Sequence, residues 1–306
     1  MLKKPLISIL MNCFNGELYL KESLDSVIAQ SYDNWELIFW DNRSSDKSLD
    51  IVSLYKDKRI KVFRAKKHSN LGRARKHAFS KTKGEYLAFI DVDDYWYPDK
   101  LEKQIKVFVD KEVGISYTNT LFFSQKWKEK LYKPKYLNTV NTRSLISRYS
   151  LALVSIMLDI NKLKKLEYSF DDKYSHICDF DLIVRLSTIS KVKYIDKLLS
   201  GWRIHENNES FKRKEIFNKE LGYWCDYHIN SKFLEKYINE INELKLLVNA
   251  ERRIFNYKFN FFSFIKCLLA KTSNIRNRIF LLFSFIPFIP KIIFKFKEAR
   301  FKSKWY

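Results

Sequence analysis

GEYLAFIDVDDYW, residues 84–96, sets an apolar run directly ahead of three carboxylates, Asp91, Asp93 and Asp94. The run is too short for a typical helix and starts at a glycine. It therefore reads as a buried strand that delivers the acids at its carboxyl end. Three like charges in four positions repel one another unless something positive sits among them. One explanation is a strand-to-helix turn whose acids cap the next helix and favour its positive end. The other is a hard-cation site. Mg²⁺ or Mn²⁺ takes one or two protein carboxylates and fills its remaining positions with phosphate oxygens and water. In a chain of formal net charge +22, an acidic strand end suits a metal–diphosphate ligand.

The same strand-then-helix unit recurs upstream. PLISILMNCFNG (5–16) reads as a strand and loop closing on the turn pair Asn15-Gly16, and Leu20, Leu24, Val27 and Ile28 follow at helical spacing. WELIFWD (35–41) is a second strand, and Ser44 or Ser45 is placed to cap the helix after it. RIKVFRA (59–65) is a third strand, with a basic helix in GRARKHAFSKT (72–82). Strands alternating with helices predict a mostly parallel sheet with helices on both faces, and ligands then sit beyond the carboxyl ends of the strands. Three polar stretches fall at those ends: NCFN (12–15), DNRSSD (41–46) and DVDD (91–94). Downstream, DKLEKQIKVFV (99–109) reads as a helix with Pro98 in its first turn, and CDFDLIVRLSTIS (178–190) as a helix with two acids at its start. KVKYIDKLLSGWRIHENNES (191–210) reads as a strand and a polar loop, whereas residues 113–123 and 131–160 show no clear period.

Length and composition admit one large or two modest domains with a real core: 306 residues, 46% hydrophobic, 6 Gly and 5 Pro. The basic excess points to a polyanion, whether nucleic acid, a phosphorylated ligand or an anionic membrane. From Glu251 to Tyr306 there are 13 Lys/Arg and 2 Asp/Glu, so the charge reads as largely a property of the tail. Cys13, Cys178, Cys225 and Cys267 are scattered without a C-x-x-C pair, as expected of reduced thiols in a cytoplasmic protein. The apolar run after Lys3-Lys4 is shorter than a secretory signal core and reads as the first strand.

Five ordered stretches resemble the family 2 glycosyltransferases of GT-A fold. They are ISILMNCFNGELYLKESLDSVIAQSY, WELIFWDNRSSDKSLDIV, NLGRARKHAFSKTKGEYLAFIDVDDYWYPDKLEKQ, CDFDLIVRL and WRIHENNES, and together they span roughly residues 5–210. The resemblance implies an α/β, Rossmann-like GT-A domain over 1–211, with a nucleotide-sugar half (1–100) and an acceptor half (101–211). A helical, basic, aromatic-rich C-terminal extension over 212–306 would follow it. It further implies inverting transfer from a nucleotide diphosphate sugar, a UDP-sugar by preference, to a saccharide or lipid-linked acceptor in bacterial-type surface polysaccharide synthesis.

Carried over by position, Asp41 would accept the uracil N3–H, Asn12 and Asn15 would border the base and ribose, and Asp91 would face the ribose. Asp93 would ligate the divalent ion, Mn²⁺ or Mg²⁺, that neutralises the leaving diphosphate. Asn70 and Arg75 are further donor-side candidates, although for Arg75 a solvated helix face is the preferred reading. Asp179 falls where the family keeps its general base, and for Asp181 complementation of the helix dipole is the preferred reading. His205 is a candidate for the metal or diphosphate, set against a purely structural histidine.

The chain departs from the family pattern in carrying Asn42-Arg43 where Asp-Gly is common, and Cys178 where Glu is common. The apolar stretch near the end is broken by Pro287, Pro290 and Lys291, short of the ~20 residues a spanning helix needs. Aromatics mixed with Lys and Arg fit a segment lying on anionic lipid at the cytoplasmic face, or else a helical subdomain packed on the catalytic domain. No nucleic-acid partner is expected, since no base-stacking motif accompanies the charge. A catalytically silent nucleotide-sugar-binding relative is the main alternative to an enzyme.

Overall fold

The computed structural model describes residues 4–124, 128–130, 140–208 and 213–256. The expectations for the tail beyond 256 lie outside these residues. In chain order the strands are β1 (Ile7–Cys13), β2 (Trp35–Asp41), β3 (Ile60–Arg64), β4 (Tyr86–Phe89), β5 (Tyr95–Trp96), β6 (Val113–Phe123), β7 (Lys128–Lys130), β8 (Met157–Asp159) and β9 (Lys191–Arg203). The helices are α1 (Leu20–Ile28), α2 (Ser48–Ser53), α3 (Leu71–Phe79), α4 (Lys100–Ile105), α5 (Thr142–Ser147), α6 (Ile160–Leu163), α7 (Cys178–Ser187), α8 (Lys214–Ile229) and α9 (Ile238–Asn256). Among the described residues, those up to 124, 128–130, 140–141 and 150–204 form one compact unit, and 142–149, 205–208 and 213–256 form another.

The first unit is built on one nine-stranded sheet in the order β3-β2-β1-β4-β8-β6-β9-β5, with β7 paired to β6. It is parallel across β3, β2, β1 and β4 and mixed beyond, because β8 runs antiparallel to both β4 and β6. β2 is buried at every residue, as a strand covered on both faces must be. Ile7, Ile9, Met11 and Cys13 of β1 share a core with Leu37 and Phe39 of β2 and with Leu20, Leu24 and Val27 on one stripe of α1. Burying each such side chain contributes about 1.5–3 kcal/mol.

The chain leaves β3 at one edge and re-enters the sheet on the other side of β1 as β4. The direction of winding therefore reverses between β1 and β4, the place where open α/β sheets form ligand crevices. The expected capping of α2 by Ser44 or Ser45 does not occur. Ser44 Oγ instead accepts Asn15 N at 3.0 Å, and the helix starts at Ser48, whose N–H is taken by Asp46 Oδ1 at 3.0 Å. The serines tie the β2 turn to the β1 loop.

The second unit packs α8 and α9 together around Trp224, Cys225, Ile241 and Val248. Arg252 on α9 donates to the carbonyls of Asn218 and Lys219 at 3.1 and 3.2 Å, and an Arg143–Glu240 ion pair joins α5 to α9. Among the described residues, no helix is long and apolar enough to cross a membrane.

Candidate active site

Asp41 ends β2, fully buried beside Cys13 in the β1–β2 register. Its Oδ1 accepts Ser44 N at 2.9 Å. Its Oδ2 makes no hydrogen bond, since Arg64 Nε, 3.2 Å away, is not aligned to donate. A buried carboxylate oxygen left in this state costs stability unless a ligand donor meets it. Asn12 Nδ2 is likewise buried without a partner. Strand alternation sends Asn12 to the face opposite Cys13, so the two unmet groups lie on different faces of the sheet end.

Asn15 holds φ at 54° and uses Oδ1 to accept Ser45 N at 2.9 Å, which makes it a loop tie. Arg43 sits at φ 72°, a left-handed conformation that favours glycine. That geometry accounts for the family's preference there and leaves the long Arg43 side chain exposed. Phe14 was not singled out in the sequence, although it lies inside the polar NCFN stretch. Its ring is 51% exposed and packs 4.2 Å from the His68 ring, whose Nδ1 lies 3.0 Å from Asn42 O.

The acidic turn is held from behind. Ser23 Oγ on α1 donates to Asp94 O at 2.5 Å. Arg203 at the end of β9 gives its backbone N–H to Asp94 Oδ1 at 2.9 Å and its Nε–H to Asp93 O at 3.0 Å. The Arg203 guanidinium also pairs with Glu22 and lies over the rings of Tyr19 and Phe123. Asp94 is buried, and burial together with the charges of Asp93 and Asp91 raises its carboxyl well above the usual range, which marks it as a structural acid. Asp91 keeps 44% of its side-chain surface open, with protein around the rest. That enclosure, opposed by Arg75 and reinforced by Asp93 and Asp179, pushes its carboxyl up to about 6.

Arg75 overturns the solvated-face reading: it is 5% exposed. It projects from α3, donates to Cys178 Sγ at 3.2 Å and lies 3.8 Å from Asp91 Oδ1. Although burial opposes its charge, Cys178, Asp91 and Asp179 together raise its pKa. The sequence arranges this locally through the Asn-Leu-Gly start of α3. Asn70 caps the helix by accepting Arg73 N at 2.8 Å and reaches across to donate to Asp172 O at 2.8 Å. A Cβ on Gly72 would stand 2.0 Å from Tyr174 O, so only glycine lets the 171–174 backbone lie against α3. This contact delivers the head of α7, with Asp179 in its first turn, into the field of Arg75 and Asp91.

Asn70 is thus engaged in shaping the site. Asp181 is fully buried in a fork with Arg185 at 2.7 and 3.0 Å, a role beyond the helix dipole. His205 opens the second unit, where Asn207 N donates to Nδ1 at 3.3 Å and Asn208 Nδ2 lies 3.2 Å from Nε2.

Among the described residues no three His, Cys, Asp or Glu side chains converge into a ready-made metal cage. The donor set nevertheless fits a hard divalent ion. Asp91 and Asp93 place carboxylates on one turn, and the repulsion that Asp93 and Asp179 exert on Asp91 is opposed by the buried Arg75 guanidinium. The excess negative charge is what a cation would neutralise.

Residues 8–166, more than half of the chain, match the sequence family described as Glycosyl transferase family 2. The chain belongs to that family. It is 36% identical over 124 residues to the putative teichuronic acid biosynthesis glycosyltransferase TuaG of Bacillus subtilis, covering 40% of this chain and 49% of TuaG. It is also 25% identical over 256 residues to WfgD of Escherichia coli, a UDP-Glc:alpha-D-GlcNAc-diphosphoundecaprenol beta-1,3-glucosyltransferase, covering 83% and 97%. It spans about half the length of the first curated relatives it matches. Its fold is that of S. aureus TarS 1–349 solved with UDP-GlcNAc, at a TM-score of 0.66, 19% identity and coverage of 91% and 80%: a GT-A fold.

Proposed function

We propose that this chain is an inverting glycosyltransferase that moves a sugar from a UDP-sugar to a saccharide or lipid-linked saccharide of a bacterial-type surface polysaccharide. The observation that carries the reading is the Arg75-centred cluster. Three separate stretches of the chain contribute to it: Arg75 from α3, Asp91 and Asp93 from the turn after β4, and Asp179 from the head of α7, with Arg75, Asp93 and Asp179 all acting electrostatically on Asp91. The relatives support it, one acting on a diphosphoundecaprenol-linked sugar and one named for teichuronic acid synthesis.

Each residue has a task in this reading. The Oδ2 of Asp41, ion-paired with Arg64 but without a hydrogen bond, takes the uracil N3–H, and the exposed Phe14 ring offers a face to the base. Asn12 Nδ2 is a donor for the ribose side. Asp93, with Asp91 beside it, would hold a Mg²⁺ or Mn²⁺ ion that neutralises charge on the departing diphosphate. Arg75 stays cationic and holds Asp91 and Asp179 in one fixed field. Asp179 removes the acceptor hydroxyl proton as that oxygen attacks the anomeric carbon from the side opposite the leaving group, which inverts the centre.

A screen of UDP-sugars for UDP release, with Mn²⁺ or Mg²⁺ and a mixture of lipid-linked and free oligosaccharide acceptors, tests this reading. Acceptor-dependent UDP release from one donor is expected. Binding of UDP-sugar without turnover across the panel would favour the silent relative.

A further inference from the structure

The net charge is segregated, and the tail holds only half of it. Residues 56–84 contain twelve Lys/Arg and one acid, residues 251–306 contain thirteen and two, and the rest of the chain balances to zero. The expectation that charge belongs mainly to the tail is therefore corrected: the β3–α3 segment carries an equal share.

β3 is the outermost strand on its side of the sheet. Part of its charge is internally matched. Arg59 pairs with Asp57, Lys61 with Glu36, Arg64 with Asp41, and Arg73 and Lys76 with Asp172, while Arg75 belongs to the active site. Six lysines remain exposed with no acid partner among the described residues: Lys56, Lys58, Lys66, Lys67, Lys81 and Lys83. They share one edge. Lys58 precedes the strand and Lys66 and Lys67 follow it, over a strand length of about 16 Å. Lys81 Nζ lies 5.7 Å from the Phe63 ring of β3, and Lys83 N donates to the same Glu36 carboxylate that pairs with Lys61. Leu54 (74%) and Val62 (46%) are also exposed, Val62 on the face of β3 opposite to Phe63 and Lys81.

A few edge lysines discourage edge-to-edge strand pairing. That need does not explain six lysines without an acid partner or the exposed apolar side chains on the same edge. We propose that the β3 edge is a docking surface for the anionic headgroups of a membrane, distinct from the C-terminal tail. Lysines meet lipid phosphates, and Leu54 and Val62 can enter the headgroup boundary. Choosing lipid over a nucleic acid rests in part on the lipid-linked acceptor proposed above, which would require the enzyme to work at a bilayer.

The test uses the full chain on vesicles of phosphatidylglycerol and phosphatidylcholine, read by co-sedimentation. In one variant Lys58, Lys66, Lys67 and Lys83 become Gln, and in a second the same four become Arg. In a control, four exposed lysines elsewhere on the same unit, Lys164, Lys165, Lys193 and Lys197, become Gln. Each basic residue near an anionic surface is worth about fivefold in binding. The Gln variant at the β3 edge should therefore bind anionic vesicles at least about tenfold more weakly, while the Arg variant keeps wild-type binding and the control changes far less. Undiminished binding by the β3 Gln variant, or an equal loss in the control, overturns the proposal. So does a loss of poly(U) binding with vesicle binding intact, which would make this a nucleic-acid face. UDP release with a detergent-solubilised acceptor is measured separately. A dead enzyme whose vesicle binding still depends on these lysines would refute the transferase reading and leave the docking surface standing.

Discussion

Replacing Asp93 with Asn should make the metal-free protein more stable while abolishing its response to metal. Asp93 is one of the charges that raise both Asp91 and Asp94, so the turn is under like-charge stress when no cation is present. The amide is nearly isosteric, and the backbone carbonyl that accepts Arg203 Nε is untouched. A carboxyl whose folded pKa is raised binds more protons folded than unfolded, so its contribution falls as pH climbs from about 3.9 through the folded value. For Asp91 that window closes near 6, and by pH 7.5 the full penalty applies. Solvent screening at the partly exposed Asp91 discounts this penalty, and removing one neighbouring charge should return about 1 kcal/mol. For a chain of this size that corresponds to a rise in Tm of about 2 °C. Thermal melts in chelator at pH 7.5 and pH 5, repeated with Mn²⁺ or Mg²⁺, check the point. Wild type should be stabilised by the metal, and Asp93→Asn should start higher at pH 7.5 and not respond. A variant less stable than wild type in chelator, or one that keeps the metal-induced shift, would refute the electrostatic reasoning.

Asp179→Asn should retain UDP-sugar affinity and lose about 10²–10⁴-fold in transfer rate, since the amide cannot take a proton; lost affinity with unchanged saturated turnover would make Asp179 a binding residue. Arg43→Gly should raise stability by about 0.5 kcal/mol, because relief of the φ 72° strain outweighs the entropy of glycine, and denaturant unfolding with a lower midpoint would contradict this. Lys100 is fully buried over the Trp96 ring, with Gln104 Oε1 at 2.5 Å from its Nζ, and burial lowers its pKa well below the usual value. The unfolded chain then binds more protons between that folded value and about 10.4, so stability should rise with pH across the interval. Lys100→Met should abolish that slope and add about 1 kcal/mol at pH 7; a destabilised variant would show that the ammonium is better satisfied than its contacts indicate.

The parallel half of the sheet was legible because β1, β2 and β4 are short, buried apolar runs that each end in polar residues, while β3 shows as a short segment in which Lys61 and Arg64 interleave with Ile60, Val62 and Phe63. β6 was not, and its residues explain why. Ser116, Thr118, Asn119 and Thr120 are polar yet buried, with Ser116 taking a bond from Gln104 and Thr120 lying 3.0 Å from Ser200. Their partners come from α4 and β9, so no local period announces the strand. β8 is three residues long and is inserted between β4 and β6 out of chain order. Of the candidate site, the positions of Asp41 and Asp93 at or after strand ends and of Asp179 in the first turn of a helix were legible, because those elements are recognisable locally. The burial of Arg75 was not, since it follows from α7 closing over α3 through Gly72, a contact a hundred residues apart in sequence. Arg203 was hidden for the same reason: its partners on the acidic turn lie more than a hundred residues away.

The most direct test of inverting transfer by Asp179 is the anomeric configuration of the product. With the active UDP-sugar and its acceptor in hand, proton NMR of the newly formed linkage reports the stereochemistry at the transferred centre. A single carboxylate base acting on the face opposite the diphosphate predicts a β-linked product from an α-linked donor. An α-linked product would mean retention, and would contradict the role assigned to Asp179.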